Sequence, residues 1–422
     1  MKKLALLAGI FLIYCVNTSC IYETPYWTPD GKKLLLGALY KDDKGEDQYQ
    51  FFLVDVESGK SSQVSQFLPE KSGVNPTLSP DGTKITYYYH EEEMPEDKME
   101  LRVMSLSGGD SKKILDLTKE NERYHYTTNP WDPNGQRLVI QNFNPQKKSY
   151  EILVTDLNGV SKNLTEEVPG ILPSWSPDGK QIAFITLGKN DYDLVLSNTE
   201  ELSSKTVTSS IALPKKHREH VMQYLAPSWS PDGKKMAYVS GQQIATVDLE
   251  TGEKRELTSG FAYKIFPRWS PDGKWIAFNK VRFKKKEPMY GESRVELFII
   301  DPEGKNPKIL TYLKGETYLP QWSPTGDRLA FMFARENEVS FLPGIVDLTG
   351  NVKFFPINGD QKIGLAKYYL GHDESKVEYA QNLLKEVIQE SPKTKWAEEA
   401  QKLLTAIEDQ KKESESVLKS SS

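Results

Sequence analysis

The sequence predicts an all-β fold, a seven-bladed β-propeller with six blades as the alternative, followed by a short C-terminal α-helical segment. Three observations lead to this prediction. A nine-residue signature occurs seven times, and its copies begin 40 to 54 residues apart. Each copy contains a turn sequence and continues into a short apolar run of strand length. A period of this size, built from short strands, is typical of a propeller with one copy in each blade.

Each signature consists of a Trp (once Leu78), a tight turn and an apolar strand. In the SPDG turn, Pro presets φ, Asp can bond its own backbone, and Gly accepts a positive φ. The Trp offers a flat surface that can pack between neighbouring blades. The Asp occurs once in each turn, which indicates a role in forming the turn rather than a group of metal ligands or catalytic acids. The copies begin at Tyr26, Thr77, Pro130, Ser174, Ser228, Arg268 and Gln321.

A second strand pair follows each signature. Phe51 to Val64 reads as a strand, a short turn and a strand, and the same plan recurs from Glu151 to Leu164. We therefore expect four strands, A to D, in every repeat of a propeller that covers residues 20–358. The A–B and C–D turns then share one face of the ring, the turn face. The B–C and D–A loops share the other, the loop face.

Residues 1–19 are predicted to form a signal peptide. Lys2 and Lys3 precede an apolar run from Leu4 to Tyr14 that is too short to span a bilayer as a stable helix. This arrangement indicates export of the chain.

The end of this leader resembles a bacterial lipobox, Val16 to Cys20, although Asn17 replaces the usual Leu. We expect lipidation of Cys20 and a lipid-anchored place in the bacterial cell envelope, on the periplasmic side or the surface, with the outer membrane favoured. Cleavage without lipid and a retained anchor are the alternatives. The two cysteines, Cys15 and Cys20, both lie in the leader, so a chain cut before Cys20 can form no internal disulfide.

Helical periodicity replaces the strand pattern in residues 362–410, and residues 411–422 are predicted to be disordered. The helical tail resembles a tetratricopeptide repeat, with a simple helical clasp as the alternative. The resemblance covers one and a half repeats, and stacked repeats usually need about three copies to stand alone. The tail is therefore expected to pack on the propeller or on a partner. The matching positions are Ala366, Tyr369, Ala380, Leu384 and Pro392.

The repeat P-x-W-S-P-D-G-K-x-I-A-F, seen in Pro173 to Phe184 and Pro267 to Phe278, is similar to the propeller repeat of the TolB family. TolB is the periplasmic component of the Tol–Pal system, and prolyl oligopeptidase-type peptidases share this repeat. The resemblance covers Ile21 to about Asn358. It implies a TolB-like envelope protein that receives partner proteins at its channel mouth. TolB itself has six blades after an α/β domain, for which this chain has no room.

The loops of the loop face differ in length and chemistry from repeat to repeat, whereas the turns of the turn face are alike. Function on a rigid scaffold is commonly carried by such variable loops. Aromatic residues and Arg dominate protein-binding hot spots, and several occur in the D–A loops. Hydrophobic capping of the channel is the alternative for each of them. The predicted partner-binding residues are Tyr124, His125, Tyr126, Arg218, His220, Tyr224, Phe261, Tyr263 and Tyr318.

Several function classes are disfavoured. With 54 basic and 59 acidic residues, the chain has no excess of positive charge for nucleic acid. It contains no Gly-x-Ser-x-Gly elbow and no His-Glu-x-x-His motif, so no catalytic residue, metal site or cofactor is predicted. His217 and His220 are a weak metal signal.

The predicted function is a monomeric cell-envelope lipoprotein whose propeller binds a protein or peptide, with a Tol–Pal-like role as one possibility. The alternative is a carbohydrate- or peptide-processing propeller with catalysis in the central channel.

Overall fold

The structure is a computed structural model. It describes residues 24–41, 47–65, 68–69, 74–90, 94–118, 129–166, 168–188, 191–212, 225–282, 294–335, 341–392 and 394–420. These residues form sheets whose strands pair antiparallel, apart from one parallel pair between Val295 and Glu316, followed by helices at the C-terminal end. The prediction of an all-β fold with a C-terminal helical segment is confirmed.

Each signature opens a group of strands, which we call units 1 to 7 in chain order, with strands A to D. Unit 1 contains β1 (Tyr26–Trp27), β2 (Lys33–Lys41), β3 (Asp47–Asp55), β4 (Ser61–Gln63) and a short β5 (Leu68–Pro69). Unit 2 contains β6 (Val74–Leu78), β7 (Lys84–Tyr89), β8 (Lys98–Ser105) and β9 (Lys112–Thr118). In unit 3, strand A is reduced to a bridge between Trp131 and Leu138, followed by β10 (Arg137–Asn144), β11 (Ser149–Asp156) and β12 (Ser161–Asn163).

The later units follow the same plan. Unit 4 contains β13 (Ile171–Trp175), β14 (Gln181–Leu187), β15 (Asp191–Asn198) and β16 (Ser204–Ala212). Unit 5 contains β17 (Ser228–Trp229), β18 (Lys235–Ser240), β19 (Gln243–Asp248) and β20 (Lys254–Glu256). Unit 6 contains β21 (Tyr263–Trp269), β22 (Ile276–Arg282), β23 (Arg294–Ile300) and β24 (Lys308–Ile309). Unit 7 contains β25 (Gly315–Trp322), β26 (Arg328–Arg335), β27 (Phe341–Asp347) and β28 (Val352–Phe354).

The solvent exposure of the strands increases from the core of each unit outwards. Four consecutive residues of β14, Ile182 to Ile185, are each at most 1% exposed, because both faces of strand B are covered by neighbouring units. By contrast, all three residues of β4 and of β20, which are D strands, are exposed. Strand A therefore lies innermost, next to the channel, and strand D lies at the rim.

The A–B turns confirm the turn role of their carboxylates. Ser176 Oγ donates to Asp178 Oδ1 at 2.6 Å, and the same oxygen accepts the Lys180 N–H at 3.1 Å. The equivalent bond from Ser79 and the donors of Thr83 lower the pKa of Asp81 to about 2. The oxygens of these carboxylates already accept hydrogen bonds within their own turns.

Every turn glycine faces the turn proline of the preceding unit. A Cβ placed on Gly82 would lie 2.8 Å from Pro29 Cδ, and one on Gly31 would lie 3.7 Å from Pro324 Cδ. The second contact joins unit 1 to unit 7, so the row of turns closes into a circle, the turn ring. Its other members pair Gly135 with Pro80, Gly179 with Pro133, Gly233 with Pro177, Gly273 with Pro231, and Gly326 with Pro271.

The signature tryptophans add a second contact between units. Trp175 Nε1 donates to the carbonyl oxygen of Pro130 at 2.9 Å, and Trp27 Nε1 donates to that of Gln321 at 3.0 Å. The acceptor is in each case the residue that precedes the signature Trp of the preceding unit. The same bond joins Trp229 to Ser174 and Trp322 to Arg268.

The tail forms three α-helices, α1 (Gly359–His372), α2 (Val377–Glu390) and α3 (Lys395–Ser420), with a short 3-10 turn at Glu374–Lys376. Helix α1 packs on unit 7: the Tyr368 ring lies 5.4 Å from that of Phe333, and Gln361 Nε2 donates to the Phe341 carbonyl at 3.0 Å. The tail thus lies on the propeller, at the loop-face end of unit 7. Its resemblance to a tetratricopeptide repeat stays a prediction.

Two boundaries of the tail differ from expectation. Helix α1 begins before residue 362, because Asn358 accepts the Gln361 N–H at 2.9 Å and caps the helix there. Helix α3 continues to Ser420, so the prediction of disorder is wrong for residues 411–420. This segment is rich in Lys and Glu and lacks Gly and Pro, which favours continuation of a helix. Within the described residues, no helix combines the length and apolar character needed to cross a bilayer.

Candidate binding face at the channel mouth

Three of the predicted partner-binding residues lie in the described part of the chain: Phe261, Tyr263 and Tyr318. The positions outside the described residues are Tyr124, His125, Tyr126, Arg218, His220, Tyr224 and the lipidation candidate Cys20. Their roles stay predictions.

Two neighbouring D–A loops present aromatic rings to solvent. Phe261 lies in the loop between units 5 and 6, and its side chain is 98% exposed. Tyr312 lies in the loop between units 6 and 7 and is 80% exposed. The sequence reasoning missed Tyr312. Exposed aromatic rings of this size, on successive loops of one face, indicate an interaction surface.

Tyr263 and Tyr318 differ from Phe261. Tyr263 is partly buried at the start of β21, where it packs with Ile265 and Val281. Tyr318 is 4% exposed in the same cluster, and its hydroxyl donates to Glu316. For Tyr318 the burial favours the alternative of hydrophobic packing beneath the channel mouth. Contact of either residue with a partner stays a prediction.

Threonines fix the beginning of the aromatic loops. Thr258 Oγ1 accepts the Ile244 N–H at 3.0 Å and donates to Gln243 Oε1 at 3.0 Å. Thr311 Oγ1 accepts the Leu297 N–H at 3.0 Å in the next unit. A Leu-Thr pair after strand D, repeated in the sequence, is the signal that could have revealed this device. These hydrogen bonds fix the points at which the two loops leave the β-sheets.

Lys264 holds the Phe261 loop from below. It is 2% exposed, and its Nζ donates to Gln243 Oε1 at 2.7 Å, to the Ser259 carbonyl at 2.7 Å and to the Gly260 carbonyl at 3.2 Å. These three acceptors match the three hydrogens of an ammonium group. Burial, assisted by the nearby charge of Lys280, lowers the pKa of Lys264 to about 8. A single Lys in a strand gave no sequence signal for this role.

The tail supports the second aromatic loop. The backbone of Lys314, two residues after Tyr312, approaches the Tyr368 hydroxyl of α1 and counteracts the rise that burial gives the pKa of this group. The Phe261 loop is therefore held by the Lys264 side chain, and the Tyr312 loop starts at the hydrogen bond between Leu297 and Thr311. The exposed rings are carried by anchored backbone, which lowers the entropy cost of binding.

Among the described residues, no three His, Cys, Asp or Glu side chains come together in an arrangement that could hold a metal ion. Arg268, in strand A of unit 6, carries a guanidinium group with a shifted pKa. Its Nη1 donates to the Pro267 carbonyl at 3.0 Å, and burial lowers its pKa to about 10.

Comparisons with known proteins agree with this architecture. Residues 137–285 match the family model described as the TolB beta propeller domain. The Tol-Pal system protein TolB of Wigglesworthia glossinidia brevipalpis is 32% identical over 73 residues, which is 17% of each chain. The uncharacterized peptidase YuxL of Bacillus subtilis is 25% identical over 243 residues, 56% of this chain and 31% of the relative. The matched segments thus make up less than a third of these curated relatives.

A solved structure of an oligogalacturonate lyase in complex with manganese superposes with a TM-score of 0.54 at 16% identity, covering 78% of this chain and 89% of the lyase. At this identity the likeness concerns the fold. The class of protein is therefore a β-propeller scaffold. Within that class, the chain carries a TolB-like propeller.

Proposed function

We propose that this protein is a cell-envelope propeller that binds a protein or peptide partner through its loop face. The observation that carries the proposal is the pair of exposed rings, Phe261 and Tyr312, on adjacent loops. Both loops are anchored, one by Lys264 and the other by Thr311. Large, pre-positioned aromatic rings are what a hot spot needs, because little side-chain and loop freedom is lost on binding.

A Tol–Pal-like role is the finer form of this proposal. It is supported by the matching TolB domain and by the relative named for the Tol-Pal system. The expected partner is an envelope protein or a peptide segment of one, bound by a monomeric propeller.

Site-specific photocrosslinking in the native envelope tests the binding face. A photoreactive residue at position 261 or 312 should give a discrete adduct with a partner. The matched control is position 160, because Val160 is also strongly exposed, at 73%, but lies in a C–D turn on the turn face. Equal adduct yields at positions 160 and 261, or no adduct at 261 and 312, would contradict the proposal.

Membrane attachment through Cys20 is a separate part of the proposal, and Cys20 lies outside the described residues. The lipobox-like Val16 to Cys20 supports it. Cells that express the full chain should incorporate labelled fatty acid into the protein, and Cys20→Ala should abolish the label. Retention of the label in this variant would show that Cys20 is not the anchor.

The alternative function is a propeller that processes a carbohydrate or a peptide in its channel. The similarity to a peptidase over 243 residues supports it. Purified mature protein incubated with panels of glycans and peptides should show no turnover if the chain acts by binding. Reproducible turnover would favour the enzyme instead.

A further inference from the structure

A buried lysine holds the backbone that leads to the exposed Phe261 ring. Lys264 is 2% exposed, whereas Phe261, in the loop just before it, is 98% exposed. The Lys264 ammonium group donates to three uncharged oxygens, which belong to Gln243, Ser259 and Gly260. The first oxygen is part of unit 5, and the other two are carbonyls of the loop. The ammonium group therefore ties the loop to the neighbouring unit.

The oxygens that receive these hydrogen bonds are themselves held in place. Gln243 Nε2 donates to the Gly260 carbonyl at 2.6 Å, and Thr258 Oγ1 donates to Gln243 Oε1 at 3.0 Å. The Lys264 backbone N–H donates to the Gln242 carbonyl at 3.0 Å. The acceptors thus form a fixed cage around the ammonium group, so a change in its number of hydrogens is transmitted to the loop.

Charged side chains on the adjoining strands influence how easily Lys264 loses its proton. Burial, assisted by the like charge of Lys280, lowers the pKa of Lys264 to about 8, and Glu256 in β20 acts in the opposite direction. Lys280 in β22 is the register partner of Lys264. Glu296 of β23 lies opposite Lys280, and Glu316 of β25 comes next in the same sheet. Lys264 is therefore protonated at neutral pH and neutral in mild alkali.

We propose that protonated Lys264 is a positioning residue of the loop face, which holds Phe261 in place for a partner, and that loss of its proton weakens partner binding. This inference rests on the proposed function. A neutral amine keeps two N–H donors and gains a lone pair, so the three oxygens can no longer all be satisfied. Charge-assisted hydrogen bonds are also roughly twice as strong as neutral ones. The backbone before Phe261 then keeps more freedom, which must be lost on binding.

The neighbouring aromatic loop provides an internal control. Tyr312 is 80% exposed, and its loop begins at Thr311, whose Oγ1 accepts the Leu297 N–H at 3.0 Å. A threonine hydroxyl keeps the same proton throughout this pH range. Mild alkali should therefore act on position 261 and leave position 312 unchanged.

Fluorine NMR tests the effect on the loop in the absence of any partner. para-Fluorophenylalanine is placed at position 261 or, separately, at position 312 of the full chain. At position 261 the resonance should shift with a midpoint near pH 8 and become narrower above it, because the ring moves more freely. In Lys264→Met this midpoint should be absent, and an unchanged resonance at position 312 shows that the variant is folded. A missing midpoint at position 261, or the same midpoint in Lys264→Met, would overturn the inference.

Photocrosslinking in the native envelope tests the effect on binding. Between about pH 7 and about pH 9, on either side of the Lys264 titration, the adduct yield at position 261 should fall relative to position 312. The expected fall is about threefold, the effect of roughly one net hydrogen bond. Lys264→Met should give the low yield at both pH values. Adducts that form equally at both pH values would overturn the inference and leave the proposed binding intact. Absence of adducts at both positions and both pH values would contradict the proposed function, and the inference with it.

Discussion

On the turn face, seven A–B turns repeat the same contacts, whereas on the loop face each D–A loop has its own residues. The turn glycines and prolines meet in register all the way round the ring. The loops between units 5 and 6 and between 6 and 7 carry Phe261 and Tyr312 at different places in the loop. Residues that repeat in every unit hold neighbouring units together, whereas residues that differ from unit to unit are available to contact a ligand.

The largest expected effect is on the turn ring. Gly82 has φ +70°, and a Cβ there would lie 2.8 Å from Pro29 Cδ. Gly82→Ala should lower the free energy of unfolding by about 2–3 kcal/mol, from backbone strain and the clash together. Urea unfolding measures it.

The matched control is Gly252→Ala. Gly252 has φ +74° but no atom within 4 Å of its added Cβ, so only backbone strain remains. Its cost should be about 1 kcal/mol. Equal costs at the two positions would show that the contact between units contributes nothing.

The tryptophans allow the second test. Trp175→Phe removes a buried N–H donor and leaves the Pro130 carbonyl without this bond, which should cost about 1–2 kcal/mol. Trp269 Nε1 is buried without a hydrogen-bond partner among the described residues. Trp269→Phe should therefore cost clearly less, or even stabilise the fold. If the two variants unfold at the same urea concentration, the bond between units is not what the signature Trp supplies.

The third test is the pH dependence that Lys264 introduces. Its pKa is about 8 in the folded state against an ordinary value of 10.5, so the unfolded state binds more protons between these pH values. Lys264 should therefore make the protein more stable as pH rises from about 8 to about 10. Lys264→Met should show a smaller rise over this window in urea unfolding. An unchanged slope in the variant would show that Lys264 is not the group that titrates.

The smallest effect on stability is expected on the loop face. Phe261→Ser should change the free energy of unfolding by less than about 0.5 kcal/mol, because the ring is 98% exposed. The same variant should lose partner crosslinking from position 312. A large loss of stability would place Phe261 with the packing residues instead of the binding surface.

The sequence predicted what is decided within a few neighbouring residues. The SPDG turns, the strands beside them and the start of α2 at Val377 depend on local geometry and hydrophobic period. Lys264 and Arg268 could not be assigned in this way. Their environments are created by Gln243 from another unit and by Tyr26 from the far end of the chain.

Tyr318 illustrates a different difficulty. The sequence places it in a D–A loop, and the strand actually begins earlier, at Gly315. Its ring therefore packs inside the sheet interface instead of standing in solvent. For short segments between loop and strand, a shift of a few residues decides whether an aromatic side chain faces a core or a partner.

Units 1 and 7 share no strand in the described part of the chain. The unit sheets are built from consecutive residues, and the two ends meet through side chains such as Lys353, whose Nζ donates to the Val56 carbonyl at 2.8 Å. The order of units along the chain is then not imposed by the ring. A circular permutation that begins at another unit would therefore keep all the sheets.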